Sequence, residues 1–170
     1  MINLNRKWVA TIMVAGLWVI LAGACGTSTN KPAPNVNSTV FLSTQHINGN
    51  IVVSVNVKDA SDLYGAAVTL SYDPTVLKYQ NAEAGGLLGA GNVQTNFLSA
   101  EEAGANGVVV LGYSRKGIEN GVGGSGTIAN VDFSVLSKAG SLVTTTSIVL
   151  KDSKGNVINT GSVNPSINVN

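Results

Sequence analysis

Few residues of this chain could carry out chemistry on a substrate. It has one histidine, His46, and one cysteine, Cys25. A zinc site needs several His or Cys ligands, and a nucleophilic serine needs a nearby base, so neither is indicated. Glu101 and Glu102 are adjacent, and adjacent side chains point apart on a helix and to opposite faces of a strand. We therefore expect no enzyme activity, no cofactor and no metal site, although a carboxylate pair built from distant segments stays open.

Two short motifs resemble ligand-binding loops only in part. The stretch GVGGSG at 121–126 matches G-x-G-x-x-G, but a strand-like TIANVDFSV follows it where a phosphate site needs a helix. The stretch DSKGN at 152–156 begins like a calcium loop, but Asn159 and Thr160 follow where such a loop needs a late glutamate. We predict a loop between strands for the first motif and a hairpin turn for the second.

The amino-terminal segment has the pattern of an export signal. Arg6 and Lys7 precede an uncharged stretch from Trp8 to Ala24, and small residues lead into Cys25. A positive start, an apolar middle and a small-residue end indicate a signal peptide over residues 1–24. A single thiol in an exported chain has no partner within the molecule and requires another explanation. An uncleaved membrane anchor and an ordinary cleaved signal remain alternatives.

The stretch LAGAC at 21–25 resembles the lipobox of bacterial lipoproteins, in which the cysteine is lipidated and becomes the first residue. Leu21 stands four residues before Cys25, where the usual leucine stands three before, and Ala22 occupies that place. The resemblance implies a lipid anchor at Cys25, which holds the exported protein on a bacterial membrane, facing the extracytoplasmic or extracellular side. Residues 25–39 contain Pro32 and Pro34 and no apolar period, which predicts a flexible tether.

The composition of the remainder, residues 40–170, is typical of one all-β extracellular domain. It is rich in Gly, Val, Thr, Ser and Asn, which favour strands and turns over helices. Only 11% of the chain is charged and its net charge is +1, so there is no basic face for nucleic acid.

Period-two alternation predicts the strands. Ile51, Val53, Val55 and Val57 form one aliphatic face, and Asn48-Gly49 before them is a hairpin signal. In a second strand Val68, Leu70 and Tyr72 are predicted to point inward. About nine such segments predict an antiparallel jelly-roll sandwich. The one helical signal is SAEEAG at 99–104, where Ser99 and Glu102 have the spacing of a capping box.

The order and the sequences of these strands resemble those of the cohesin family over residues 40–170. The matching stretches are the valine strand at 51–57, LYGAAVTLSYDPTVLKY at 63–79, VVVLGYS at 108–114 and GSGTIANVDFSVL at 124–136. The resemblance implies a nine-stranded jelly roll, a fold shared with carbohydrate-binding modules, in which a flat sheet face docks the paired EF-hand modules called dockerins. In well-known cohesins the strand before Tyr-Asp-Pro carries outward polar residues, and here those positions are Gly65 and Ala67.

The resemblance and the composition together favour a membrane-anchored, non-catalytic protein-binding module whose partner is a dockerin or another extracytoplasmic protein. Aromatic and arginine side chains are the usual anchors of such a face, so the candidates are Tyr64, Thr69, Tyr113 and Arg115. Tyr113 shares the parity of Val109 and Leu111, which makes a core position the alternative for it.

Polysaccharide binding is the alternative function. It usually needs a row of exposed aromatics, but both tryptophans, Trp8 and Trp18, fall within the predicted signal. A loop site for a short glycan and a purely structural role in the cell envelope also stay open.

Overall fold

The computed structural model describes residues 38–102, 107–117, 120–160 and 164–169, and these form an antiparallel all-β fold. The predicted signal, Cys25 and the tether as far as residue 37 lie outside the described residues. The prediction of an all-β jelly roll of about nine strands is confirmed. The strands are β1 (Thr39–Ile47), β2 (Asn50–Ser71), β3 (Leu77–Ala84), β4 (Thr95–Glu101), β5 (Val108–Arg115), β6 (Val122–Val135), β7 (Ser141–Asp152), β8 (Val157–Ile158) and β9 (Ser166–Val169).

Strand β2 belongs to both layers of the sandwich. Its first half pairs with β1 and β6, and its second half pairs with β5 and β7. The register shifts between Val57 and Leu63, where Asp59 and Asp62 adopt positive φ angles of 58° and 57°. The first sheet therefore comprises β1, the first half of β2, β6 and β3. The second sheet comprises β4, β5, the second half of β2 and β7, while β8 and β9 pair with the two ends of β7.

The core lies between the sheets and consists of the predicted alternating residues. Val53, Val55 and Val57 are fully buried, and Val68 and Leu70 follow them on the second half of β2. The Asn48-Gly49 turn has φ angles of 50° and 82°, which is the positive-φ pair that a tight two-residue hairpin requires. The pattern therefore predicted both the buried face and the turn correctly.

Aromatic contacts join the two layers. The Phe133 ring of β6 is fully buried and meets the Tyr72 ring, just after the end of β2 in the second sheet, at a centroid distance of 4.9 Å. Within the first sheet it also meets the ring of its cross-strand partner Tyr79 at 6.4 Å. The Tyr72 hydroxyl donates to the Glu101 carboxylate at the end of β4. Burial, reinforced by that hydrogen bond, raises the pKa of Tyr72 to about 12. Tyr72 is thus a core residue, as its parity predicted.

Two local predictions were wrong. Ser99 to Glu101 belong to β4, where Ser99 pairs with Leu111 and Glu101 with Val109, rather than to a helical turn. A continuous ladder with β5 satisfies more backbone groups than one capping box. Val122 to Gly126 belong to β6 instead of a loop, because they pair with the bend of β2 between Val57 and Leu63.

The predicted turn at 152–156 is confirmed. The Asp152 carboxylate accepts hydrogen bonds from the backbone N–H groups of Lys154 and Asn156, which closes the β7–β8 hairpin. Within the described part of the chain, no helix is long and apolar enough to cross a membrane.

The central position of Phe133 makes a testable difference to stability. We expect Phe133→Ala to lower the free energy of unfolding by about 3–5 kcal/mol, because it leaves a cavity between the sheets. The matched control Phe41→Ala removes a phenylalanine that is 43% exposed, and it is expected to cost less than about 1 kcal/mol. Urea denaturation of the purified chain followed by circular dichroism measures both values. Equal losses of unfolding free energy in the two variants would contradict the conclusion that Phe133 packs between the two sheets.

Candidate functional site

The outward face of the second sheet presents three successive rows of side chains, which we call the second-sheet face. Cross-strand pairing between β4, β5, β2 and β7 places the members of each row side by side. The first row is Asn96, Ser114, Gly65 and Lys151; the second is Leu98, Gly112, Ala67 and Val149; the third is Ala100, Val110, Thr69 and Ser147.

The middle of this face is apolar and open. The Leu98 side chain is 75% exposed and that of Val110 is 42% exposed. Two adjacent depressions, of about 360 and 410 Å³, flank Leu98, and both are lined by Ala67 and Gly112. Exposed aliphatic side chains beside shallow depressions are typical of a protein-binding surface.

The two central strands form a floor between two walls. They present the small residues Gly65, Ala67 and Gly112, while Leu98 stands on β4 and Val149 on β7. Three inter-strand spacings separate β4 from β7, or roughly 14 Å. An α-helix with its side chains is about 10–12 Å across. The backbone spacing of the two walls is therefore comparable to the width of one helix lying along the strands, whose side chains would interdigitate with Leu98 and Val149.

The outward face of the first sheet is polar at its centre, and its exposed apolar side chains, Phe41 and Ile47, lie on the edge strand β1. Its polar side chains bond one another: Ser54 Oγ donates to Asn130 Oδ1 at 2.7 Å, and Thr127 Oγ1 donates to Asn56 Oδ1 at 2.8 Å. Asn56 Nδ2 in turn donates to Ser43 Oγ at 2.9 Å. These groups satisfy each other within the sheet, so this face offers less to a partner than the second-sheet face does.

The predicted site residues are not brought together. Thr69 lies in the third row and is half-buried. Tyr64 lies near the β2 bend, and its hydroxyl donates to the backbone oxygen of Gly117 at 2.5 Å. Tyr113 and Arg115 are only 5% and 8% exposed.

The prediction that Tyr113 and Arg115 contribute to an exposed binding face is wrong. Both have the parity of the core residues Val109 and Leu111, so they point between the sheets. The outward residues of β5 are Val110, Gly112 and Ser114. The alternating pattern of VVVLGYS contained that signal, since it already made the core the alternative for Tyr113.

Tyr113 and Arg115 instead hold the loop at residues 85–92. The Tyr113 hydroxyl donates to the backbone oxygen of Gly85 at 3.0 Å, and Arg115 Nη1 donates to that of Leu88 at 2.9 Å. Leu87 and Leu88 are buried, so the Gly-rich loop closes one end of the core. Gly85 is required there, because a Cβ would meet the Thr127 oxygen at 2.1 Å.

The described residues contain no group of three or more His, Cys, Asp or Glu side chains that could hold a metal ion. His46 is exposed near the end of β1. Within the three rows of the second-sheet face the charged side chain is Lys151, whose Nζ donates to the Gly155 oxygen at 3.0 Å. The arrangement can bind a surface, but it assembles no acid–base pair.

Comparison with protein families gives one match: the model of the cohesin domain matches residues 36–169. A comparison with curated proteins found no match.

Solved cohesin structures share the fold. The second type II cohesin module of the adaptor ScaA scaffoldin of Acetivibrio cellulolyticus is 22% identical, with a TM-score of 0.65 over 78% of this chain and 91% of that chain. The sixth cohesin of scaffoldin B from the same organism, solved in complex with a Cel5 dockerin mutant, is 22% identical with a TM-score of 0.62 over 78% and 99%. A non-cellulosomal cohesin of Archaeoglobus fulgidus is 20% identical with a TM-score of 0.59 over 78% and 90%.

The structural role of Arg115 can be tested with a matched pair of variants. We expect Arg115→Met to lower the free energy of unfolding by about 1–3 kcal/mol, because it leaves carbonyl groups of the 85–92 loop unpaired. Faster amide hydrogen exchange in that loop is the accompanying sign. Lys116→Met alters the exposed neighbour and is expected to change stability by less than about 0.5 kcal/mol. An Arg115→Met variant with unchanged stability and loop exchange would show that the guanidinium does not hold the loop.

Proposed function

The chain belongs to the cohesin family, and from that premise we propose that it is a non-catalytic protein-binding module whose partner is a dockerin. The observation that carries the proposal is the second-sheet face, with Leu98 and Val110 exposed over a floor of small residues. The solved complex of a similar cohesin with a dockerin supports the choice of partner.

The physics of the face favours tight docking of a preformed helix. Burial of apolar surface contributes about 25 cal/mol per Å². The face lies on strands rather than loops, so little chain ordering opposes binding. A dockerin helix lying in the trough would cover both depressions and remove Leu98 and Val110 from water.

Two residues that depart from the family pattern limit the kind of contact that this face can make with a partner. Gly65 and Ala67 stand where well-known cohesins have outward polar residues, so this part of the floor offers no side-chain hydrogen bond. We infer that recognition here rests on shape and apolar contact more than on a polar network. Such a face would select a dockerin with an apolar helix surface.

Polysaccharide binding has less support. A flat sugar surface needs coplanar exposed rings. Among the aromatics of the described residues, Tyr72, Tyr113 and Phe133 are buried and Tyr64, Tyr79 and Phe97 are half-buried. Phe41, on the first sheet, is the one in the exposed class, at 43%. No row of rings lies on the second-sheet face.

We further propose that the module is displayed on a bacterial membrane through a lipid on Cys25. The lipobox-like end at 21–25 supports this, and residues 26–37 then act as the tether. Each residue spans at most about 3.3–3.6 Å, so these 12 residues would hold the domain within roughly 43 Å of the bilayer. The second-sheet face would then bind its partner on the extracytoplasmic side of the membrane.

Dockerin binding can be tested at two valines of similar exposure. Val110 is 42% exposed on the second-sheet face, and Val135 is 40% exposed at the end of β6. We expect Val110→Arg to weaken binding of a purified dockerin at least about tenfold, because a charge would be buried without a partner. Val135→Arg should bind as the unaltered chain does. Titration calorimetry in calcium measures both; equal affinities for the two variants would place the interface elsewhere.

The anchor has its own test. Cys25→Ser removes the only thiol, so the protein should lose acyl labelling and no longer be retained as a lipoprotein in the membrane fraction of the expressing bacterium. Dockerin binding by the extracted protein should be unchanged. Undiminished acyl labelling of the Cys25→Ser variant would refute lipidation at this residue.

A further inference from the structure

We propose that Gly112 is the specificity-determining residue of the second-sheet face. The gap above Gly112 is a socket for one bulky apolar side chain of the partner helix, and Lys151, two strands away across the same depression, selects an acidic residue about one helical turn away. This inference rests on the proposed function, since it concerns the same face, but it specifies which dockerins the face accepts.

Neither the backbone conformation nor close packing requires a glycine at Gly112. A Cβ built on it meets nothing within 4 Å, and its φ lies outside the positive range that favours glycine. Gly85, Gly107 and Gly121 differ, since a Cβ at each would lie 2.1–2.3 Å from backbone atoms. Glycine inside a strand weakens it and often marks the close approach of a ligand or another backbone. Gly112 therefore keeps space open at a cost in strand stability.

The space above Gly112 suits an apolar occupant. Gly112 pairs with Leu98 of β4 on one side and with Ala67 of β2 on the other, and all three residues line both adjacent depressions. No side chain of the second row can form a hydrogen bond. A polar or charged group inserted there would be desolvated without compensation, whereas leucine, isoleucine, methionine or phenylalanine would gain contacts.

The face also has a direction. The first row contains the charged Lys151 beside Asn96 and Ser114, whereas the third row (Ala100, Val110, Thr69 and Ser147) carries no charge. Rows two residues apart along a strand are separated by about 6.6 Å, which is close to the helical pitch of about 5.4 Å. Lys151 also lies two strand spacings, or about 9–10 Å, to the side of Gly112. Its Nζ donates one hydrogen bond to the Gly155 oxygen and keeps two further donors. An acidic residue three or four positions from the apolar side chain, on the flank of the helix that faces β7, would therefore pair with Lys151.

The socket can be tested by filling it. In the full-length chain, purified in mild detergent, Gly112→Val should retain or raise the melting temperature, because a β-branched residue suits a strand with open space. It should weaken binding of a purified dockerin at least about tenfold. The matched control is Gly86→Val, since Gly86 is exposed and a Cβ on it also meets nothing within 4 Å. That variant should bind normally.

Double-mutant cycles identify the dockerin residue that enters the socket. Each exposed apolar residue of the dockerin helices is changed to alanine, and one such change should lose its effect when combined with Gly112→Val. Lys151→Glu should weaken binding, and exchanging the matching dockerin acid for lysine should restore it. Additive effects at every dockerin position, or no rescue of Lys151→Glu, would overturn the assignment.

The outcomes separate this inference from the proposed function. A panel of purified dockerins from the genome that encodes this chain serves as the probe. If none binds the unaltered chain in calcium, the proposed function fails, and the inference fails with it. If a dockerin binds and Val110→Arg abolishes the binding while Gly112→Val leaves it unchanged, the function stands and the socket is refuted.

Discussion

The passage of strand β2 from one layer to the other is the constraint on which both sheets depend. At the bend the Asp62 carboxylate accepts hydrogen bonds from Gly121 N–H and Ser153 Oγ, each at 2.7 Å, which ties β2 to the chain entering β6 and to the β7–β8 turn. Gly121 has no room for a side chain, because a Cβ would lie 2.2 Å from the Asp62 backbone. One strand thus fixes the register of its neighbours in both sheets, and that register aligns the rows of the second-sheet face.

The same arrangement explains why the two outward faces differ. Burying the alternate residues of β2 and β5 leaves Ala67, Gly112 and Val110 outside, where no element of the described chain covers them. The first sheet instead turns Ser54, Asn56 and Asn130 outward, and these bond to side chains on the same face. This difference is the reason for proposing that the partner binds the second-sheet face.

The sequence predicted what depends on local periodicity. Alternation located Val53, Val55 and Tyr72 in the core, and Asn48-Gly49 specified its own turn geometry. It did not locate the face, because Leu98, Gly112 and Val149 come from distant segments and become neighbours only through a register that no local pattern shows. Arg115 was misplaced because a charge is usually exposed, and the carbonyls that satisfy it belong to a loop with no periodic signal. The capping-box spacing of Ser99 and Glu102 indicated a helical turn, so strand β4 and its exposed Leu98 were not predicted.

The central claim is that the second-sheet face is the surface that meets the partner. Amide hydrogen exchange of the chain, measured with and without a calcium-loaded dockerin that binds it, tests this most directly. The account expects new protection in β4 (Thr95–Glu101), β5 (Val108–Arg115) and the second half of β2, with no change in β1 (Thr39–Ile47) or β3 (Leu77–Ala84). Protection confined to β1, β3 or the 85–92 loop would contradict it.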